Sequence, residues 1–345
     1  MKVAMYYNNR DIRLEEMPVP EIGADELLVK VHASGICGSD LLEWYRLDKA
    51  PLVLGHEIAG EIVEVGGKLK KFKKGQRVSA SHHVPCGECH YCMNGHETVC
   101  ETLRKTRFYP GGFAEYVRIP AVNIEKGGVY PLPDNVSFEE GTFSEPAACV
   151  LRAQRAAGMK KGRSVLVIGS GISGLLHIMF AKMNKASIIA ATDVSEYRLE
   201  AAKKFGANRV FHASAYLPEK FREINHGRLA DIVLLCAGAP AAFYQAMESV
   251  ERGGTVLIFS AIAGNAELPL HVNRVFWRNE VTILSSYANT PKEQIEAIEL
   301  IGGAKFQVAK MITHRLRLEE TRQGFALVES GKDCIKVIIQ PHRKE

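Results

Sequence analysis

No stretch of this 345-residue chain stays apolar for the ~20 positions needed to span a bilayer, so a membrane-embedded role is not expected. Residues 1–11 offer no apolar run to serve as the core of an export signal, and a cytoplasmic location is the expectation. There is no repeat of solenoid period and no low-complexity segment. Neither sign of charge dominates. The net charge of +5 is too small for this length to argue for a nucleic-acid partner. The densest basic run, 68–77, carries Gly75 just ahead of the apolar Val78 and reads as a solvated loop turning into a strand. What remains is ordinary for a globular protein: 46% hydrophobic and 24% charged residues, with length for two domains.

Cysteine is the exception. Of eight cysteines, four crowd one short stretch, Cys86, Cys89, Cys92 and Cys100. Three are spaced C-x-x-C-x-x-C and the fourth follows one loop later. Thiolates that close satisfy a tetrahedral zinc with no open position, which makes a structural site. Two disulfides would suit a secreted protein, and a redox C-x-x-C uses one pair rather than a run of four. His90 and His96 lie in the same lobe, but four thiolates already fill the shell, so both read as surface residues.

The hydrophobic pattern changes character midway. Residues 3–7, 26–32, 60–65 and 112–117 are β-branched or aromatic runs punctuated by glycine and proline, the mark of a mostly antiparallel barrel or sandwich. From about Glu145 onward, helical stretches (147–158, 196–205) alternate with continuous apolar strands (164–168, 187–192, 231–235, 255–259). That alternation predicts a parallel sheet covered by helices on both faces. A helix is expected over 292–301. The apolar tail strand, 335–339, is expected to return to the first domain's sheet.

Within the second region, Gly169-Ser-Gly-Ile-Ser-Gly174 follows the 165–168 strand directly and opens a helix, with Asp193 at the end of the next strand. Gly169 makes the tight turn, Gly171 lets a pyrophosphate approach the backbone, and Gly174 allows the helix to pack closely on the strand. The free N–H groups around Ile172 and Ser173 face the phosphates. Asp193 should accept hydrogen bonds from the adenosine ribose hydroxyls, which favours NAD over NADP; Arg198, five residues on, softens that preference.

A second constellation lies in the first region: Cys37-Gly-Ser-Asp40, Gly55-His56-Glu57 and Ser144-Glu145-Pro146. Each is weak alone. Together they offer thiolate, imidazole and carboxylate, the mix that leaves one open position on a catalytic zinc.

With these motifs in this order, the chain resembles the zinc-dependent medium-chain alcohol dehydrogenases, in the branch of sorbitol (L-iditol) and threonine dehydrogenases. The segments that carry the resemblance are Cys37–Asp40, Gly55–Glu57, the four-cysteine lobe, 112–116, Glu145-Pro146, Gly169–Gly174 with Asp193, and Cys236-Ala237-Gly238. The resemblance implies an α/β protein. A GroES-like, mostly-β catalytic domain (1–147 and 288–345, with the zinc lobe at about 85–101) is split around a Rossmann NAD-binding domain (148–287), and the active zinc lies in the cleft between them. It implies two zinc ions and one NAD per chain. By motif, Cys37, His56 and Glu145 match the catalytic ligand positions, and Glu57 matches an acid that in some relatives joins or replaces a ligand. Ser39 matches the hydroxyl that passes the substrate proton outward. Gly169, Gly171, Ile172, Ser173, Gly174, Asp193, Arg198, Cys236 and Ala237 fall at cofactor-binding positions. The implied partner is a small alcohol or ketone, with no nucleic acid and no membrane, in a homo-oligomer, tetramer or dimer.

The chain departs from that branch in three places. Leu42, followed by Glu43, stands where many relatives carry the outer histidine of a proton relay. The segment between Cys37 and His56 is short. Residues 285–290 hold no arginine where polyol and threonine enzymes commonly place one. A polyol or cyclitol, an amino alcohol such as threonine, and a nucleotide-binding protein without turnover all stay open as readings. Cys149, Cys236 and Cys334 read as inert buried thiols, His82 and His83 as loop residues, and Trp44 and Tyr45 as either pocket lining or loop packing.

Overall fold

The computed structural model describes every residue except 263, 265, 304, 305 and 345. The chain divides into two compact units, Met1–Ala148 with Ala288–Glu345, and Cys149–Tyr287.

The first unit is built on a seven-stranded, mainly antiparallel sheet. Its centre is Leu27–Gly35, which pairs with Glu57–Val65 on one side and with the tail strand Lys336–Gln340 on the other. The tail therefore returns to this sheet as its apolar pattern predicts. Ile338 stands opposite Gly35, and Ile339 opposite Ser34. The sheet curls around Leu27, Val29, Val31, Ile58, Ile62, Val78, Val117 and Ile119, all buried. A separate three-stranded sheet adds Asp11–Glu16, a strand the sequence pattern did not suggest because its residues are mostly polar and half-exposed. The strand expected at 112–117 begins later, at Tyr116–Ile119. The residues before it are drawn away to another partner: Phe113 donates its N–H to Leu54 O at 2.9 Å and accepts one from Ala4.

The second unit is a six-stranded sheet, parallel throughout, ordered Arg209–His212, Ile188–Asp193, Ser164–Ile168, Ala230–Leu235, Val250–Ile258, Thr282–Ser285. Ser164–Ile168 is buried at every position, which is why it reads as an unbroken apolar run. The helix Ile172–Met183 starts directly after it, capped at Gly171, and buries eight of its residues. No helix among the described residues is long and apolar enough to cross a membrane.

Candidate metal centres and nucleotide turn

The four-cysteine lobe closes on itself. The sulfur atoms lie 3.6 Å apart for Cys86–Cys100, 3.6 Å for Cys89–Cys92 and 3.9 Å for Cys86–Cys92. A tetrahedron with Zn–S bonds of about 2.3 Å has edges of about 3.8 Å, so the cage fits zinc. Backbone N–H groups of Cys89 and Glu88 point at Cys86 Sγ, at 3.3 and 3.5 Å, and the N–H of Cys86 points at Cys100 Sγ at 3.4 Å. These donors stabilise thiolates. The group is a structural zinc site, and neither His90 nor His96 belongs to it.

The second group draws on two neighbouring strands. Cys37 caps the short turn Gly38–Leu41 just beyond the end of Leu27–Gly35, and His56 and Glu57 open the strand Glu57–Val65. The ligand atoms of Cys37, His56 and Glu57 all lie within 4.8 Å of one another. Thiolate, imidazole and carboxylate are a donor set that zinc accepts with a position left over. Behind them sits Asp40, fully buried. One of its carboxylate oxygens accepts the N–H of Cys37 at 3.0 Å, and the other lies 3.3 Å from His56 Nδ1. That contact turns the other ring nitrogen, Nε2, towards the ligand group, the usual role of a carboxylate behind a metal-binding histidine. Burial opposes a charge on His56, but Asp40 overrides it and raises the imidazole well above its ordinary value. Burial likewise opposes the Asp40 carboxylate, and His56 and Arg46 offset it and hold its pKa down. Ser39 Oγ lies 3.4 Å from Cys37 Sγ, within reach of the open side.

Glu145 is buried too, but it lies outside the three-residue group. Asn289 Nδ2 donates to its Oε1 at 3.2 Å and to its backbone oxygen at 3.4 Å. Glu57 stands in the third place, and it carries its own counter-charge: Lys336 Nζ donates to Glu57 Oε2 and, at 3.1 Å, to Ile36 O. Lys336 was missed from the sequence, although a lone lysine inside the apolar run 335–339 was a signal. His82 and His83 are nearer the centre than loop residues need be. The His82 ring centroid is 4.8 Å from that of His56 and 3.7 Å from that of His83. Trp44 and Tyr45 are both exposed.

In the second unit, Gly169 has φ +93°, a left-handed conformation that glycine adopts freely, and a Cβ at Gly174 would run into Gly169 O. Cys236 and Ala237 pack against Gly169 from the end of the neighbouring strand. At Gly171 the nearest atoms to a Cβ would be those of the Arg198 guanidinium, 3.9 Å away, so the backbone is open there for a phosphate. Asp193 is tied to the same turn: Oδ2 accepts the N–H of Ser170 at 2.7 Å, and Oδ1 that of Ser195 at 2.9 Å. Arg198 Nε is buried and has no hydrogen-bond partner among the described residues. The turn has the cradle a dinucleotide needs, with Ile172 and Ser173 in the first turn of the helix.

Comparison with known proteins gives the family of both units. Residues 23–134 match the alcohol dehydrogenase GroES-like domain, and residues 173–303 match the zinc-binding dehydrogenase domain. The chain is 34% identical to sorbitol dehydrogenase of Bacillus subtilis, over 99% of this chain and 98% of that one. It is 33% identical to L-threonine 3-dehydrogenase of Bacillus licheniformis, over 95% and 94%. Among solved structures, a zinc-binding dehydrogenase from Sinorhizobium meliloti bound to NADP superimposes with a TM-score of 0.86 at 27% identity, over 99% of each chain.

Proposed function

This chain belongs to the zinc-containing medium-chain alcohol dehydrogenases, and from that premise we propose that it oxidises a secondary alcohol of the polyol or cyclitol class with NAD, and reduces the matching ketone. The observation that carries the reading is the Cys37, His56 and Glu57 group, a metal centre with one place left for a substrate oxygen.

Zinc bound there supplies Lewis acidity that pulls the pKa of an alcohol hydroxyl from about 16 towards about 7, as it does for water. The nicotinamide supplies the hydride acceptor. The chain's own residues do the rest. Asp40 fixes the ring of His56 and so the ligand geometry. Lys336 balances the charge of Glu57. Ser39 Oγ, beside Cys37, takes the hydroxyl proton from the substrate and passes it outward. The N–H groups at the start of Ile172–Met183, with the open face of Gly171, hold the pyrophosphate. Asp193 keeps free lone pairs beyond its two backbone bonds, and these receive the ribose hydroxyls. Arg198 lies over the same turn and would tolerate a 2′-phosphate, which is why the preference for NAD is a matter of degree. Glu145 is a reserve carboxylate for the third ligand position. In the cell we take the protein to be a cytoplasmic homo-oligomer, a dimer or tetramer, without nucleic-acid or membrane partners.

The test is NADH formation from a panel of polyols by the zinc-loaded protein. The L-threonine 3-dehydrogenase relative favours a second reading, an amino alcohol. Preference for L-threonine over every polyol would decide for that reading, and no turnover of either class would end both.

A further inference from the structure

The short segment between Cys37 and His56 places a cation beside the metal group. Residues Glu43–Arg46 form a single helical turn. Trp44, Tyr45 and Leu47 face outward, but Arg46 turns inward, its side chain only 16% exposed. Its Nε donates to Ser39 O at 3.3 Å. One terminal nitrogen lies 3.7 Å from Asp40 Oδ1, too long for a hydrogen bond, and that oxygen is shared with His56. The guanidinium therefore keeps four N–H donors without a hydrogen-bond partner among the described residues, one side chain removed from Cys37 and His56. The nearby acids are already engaged. Asp40 is buried with His56, and Glu43 accepts the backbone N–H of Asn9 at 2.9 Å. The other charges nearby are positive. Lys49 Nζ sits 3.5 Å above the Tyr45 ring, which Arg46 also covers. Asp40 draws on the charge of Arg46 but accepts none of the four remaining N–H donors, and a neutral polyol needs no full cation to fill them. A carboxylate, planar and with two oxygens, matches the fork of a guanidinium.

We propose that Arg46 reads a carboxylate on the substrate, so that the alcohol oxidised at the Cys37, His56 and Glu57 centre is a hydroxy acid of the sugar-acid kind rather than a neutral polyol. This assignment rests on the zinc dehydrogenase reading above and replaces its neutral polyol with the matching hydroxy acid. It also gives a chain without an arginine in 285–290 a cation for a polar substrate, supplied from the segment between Cys37 and His56.

The experiment uses matched pairs: D-gluconate against sorbitol, and 3-hydroxybutyrate against 1,3-butanediol, with the zinc-loaded protein and NAD. In whichever pair is turned over, the acid should be favoured in kcat/KM by at least tenfold. In Arg46→Gln that acid-to-neutral ratio should fall by about 10- to 100-fold, the range of one charge-assisted pair, and Arg46→Lys should fall between. Calorimetry should show the Kd for D-gluconate rising in Arg46→Gln by a similar factor, independently of turnover. A wild-type preference for the neutral member, or a ratio that Arg46→Gln leaves unchanged, overturns the assignment and leaves the dehydrogenase reading standing. Should Arg46→Gln not fold, the wild-type ratio and Arg46→Lys decide. NADH formation from none of the four overturns this assignment alone, and the dehydrogenase reading is then decided by the panel of polyols and L-threonine.

Discussion

Lys336 pairs its ammonium with Glu57 Oε2 at a depth where both side chains are 1% exposed, across 279 residues of sequence. The two are packed so tightly that a Cβ on Gly35 would strike Glu57 Oε2, Lys336 Cε and Lys336 Nζ. A buried pair of this kind is of little net benefit against an apolar pair, but in the metal-free protein breaking one side leaves a charge without water or partner. Lys336→Met should therefore lower the stability of the metal-free protein by about 3–5 kcal/mol in denaturant unfolding. The double variant Lys336→Met with Glu57→Gln should recover a large part of that loss. Equal loss in the single and double variants would show that packing, not charge, is what Lys336 provides.

Metal analysis should return close to two zinc per chain. Cys89→Ser should remove one equivalent and destabilise the fold, since a closed site contributes folding energy. Glu57→Gln should weaken retention of the other zinc, while Glu145→Gln, which disturbs the contact with Asn289, should leave it in place. The opposite order of the two glutamates would make Glu145 the resting ligand.

Substituting Asp193→Ala should raise KM for NAD and improve the NADP-to-NAD ratio. It also removes the acceptor for the N–H groups of Ser170 and Ser195, so the loss for NAD should include a looser turn. A wild-type enzyme that prefers NADP would mean that Arg198 outweighs Asp193.

The proton path should run through Ser39 and not through Glu43. Ser39→Ala should cut turnover by roughly 10²–10⁴-fold, the contribution of a lost acid–base group. The Glu43 carboxylate is already occupied by the N–H of Asn9, so Glu43→Gln should change turnover little. Loss of the pH dependence of turnover in Glu43→Gln, with zinc intact, would assign the relay to Glu43.

His177 is wholly enclosed in the second unit, against Gln154 and Phe259, and burial drives its pKa down to about 3. Below about pH 6.5 the unfolded chain gains a proton that the folded chain refuses, so stability falls as pH drops through that window. The slope from this one group is up to about 1.4 kcal/mol per pH unit, or about 2 kcal/mol by pH 5. His177→Met should flatten the stability–pH curve between pH 6.5 and 5 by that amount. A curve parallel to wild type would show that the site is hydrated enough to accept the charge.

The four-cysteine lobe and the glycine turn were legible in the sequence because their parts are local. Four ligands within fifteen residues can meet only one another, and a turn that follows an apolar strand and opens a helix dictates its own backbone. The parallel sheet was legible for a similar reason: strands buried on both faces must be apolar throughout. Long-range neighbours were not. Which carboxylate joins Cys37 and His56 depends on how the strand Glu57–Val65 lies beside Leu27–Gly35, and motif order does not contain that register. Lys336 reaches Glu57 only because the tail strand pairs with Leu27–Gly35, and Arg46 turns inward where Ser39 O accepts its Nε–H and the Asp40 carboxylate lies 3.7 Å away. By itself the sequence determined the family, the metal chemistry and the cofactor turn. The tertiary structure alone decided which carboxylate lies beside Cys37 and His56, its counter-ion and the cation near the group, because the burial and pairing of charges are properties of packed neighbours, not of spacing along a chain.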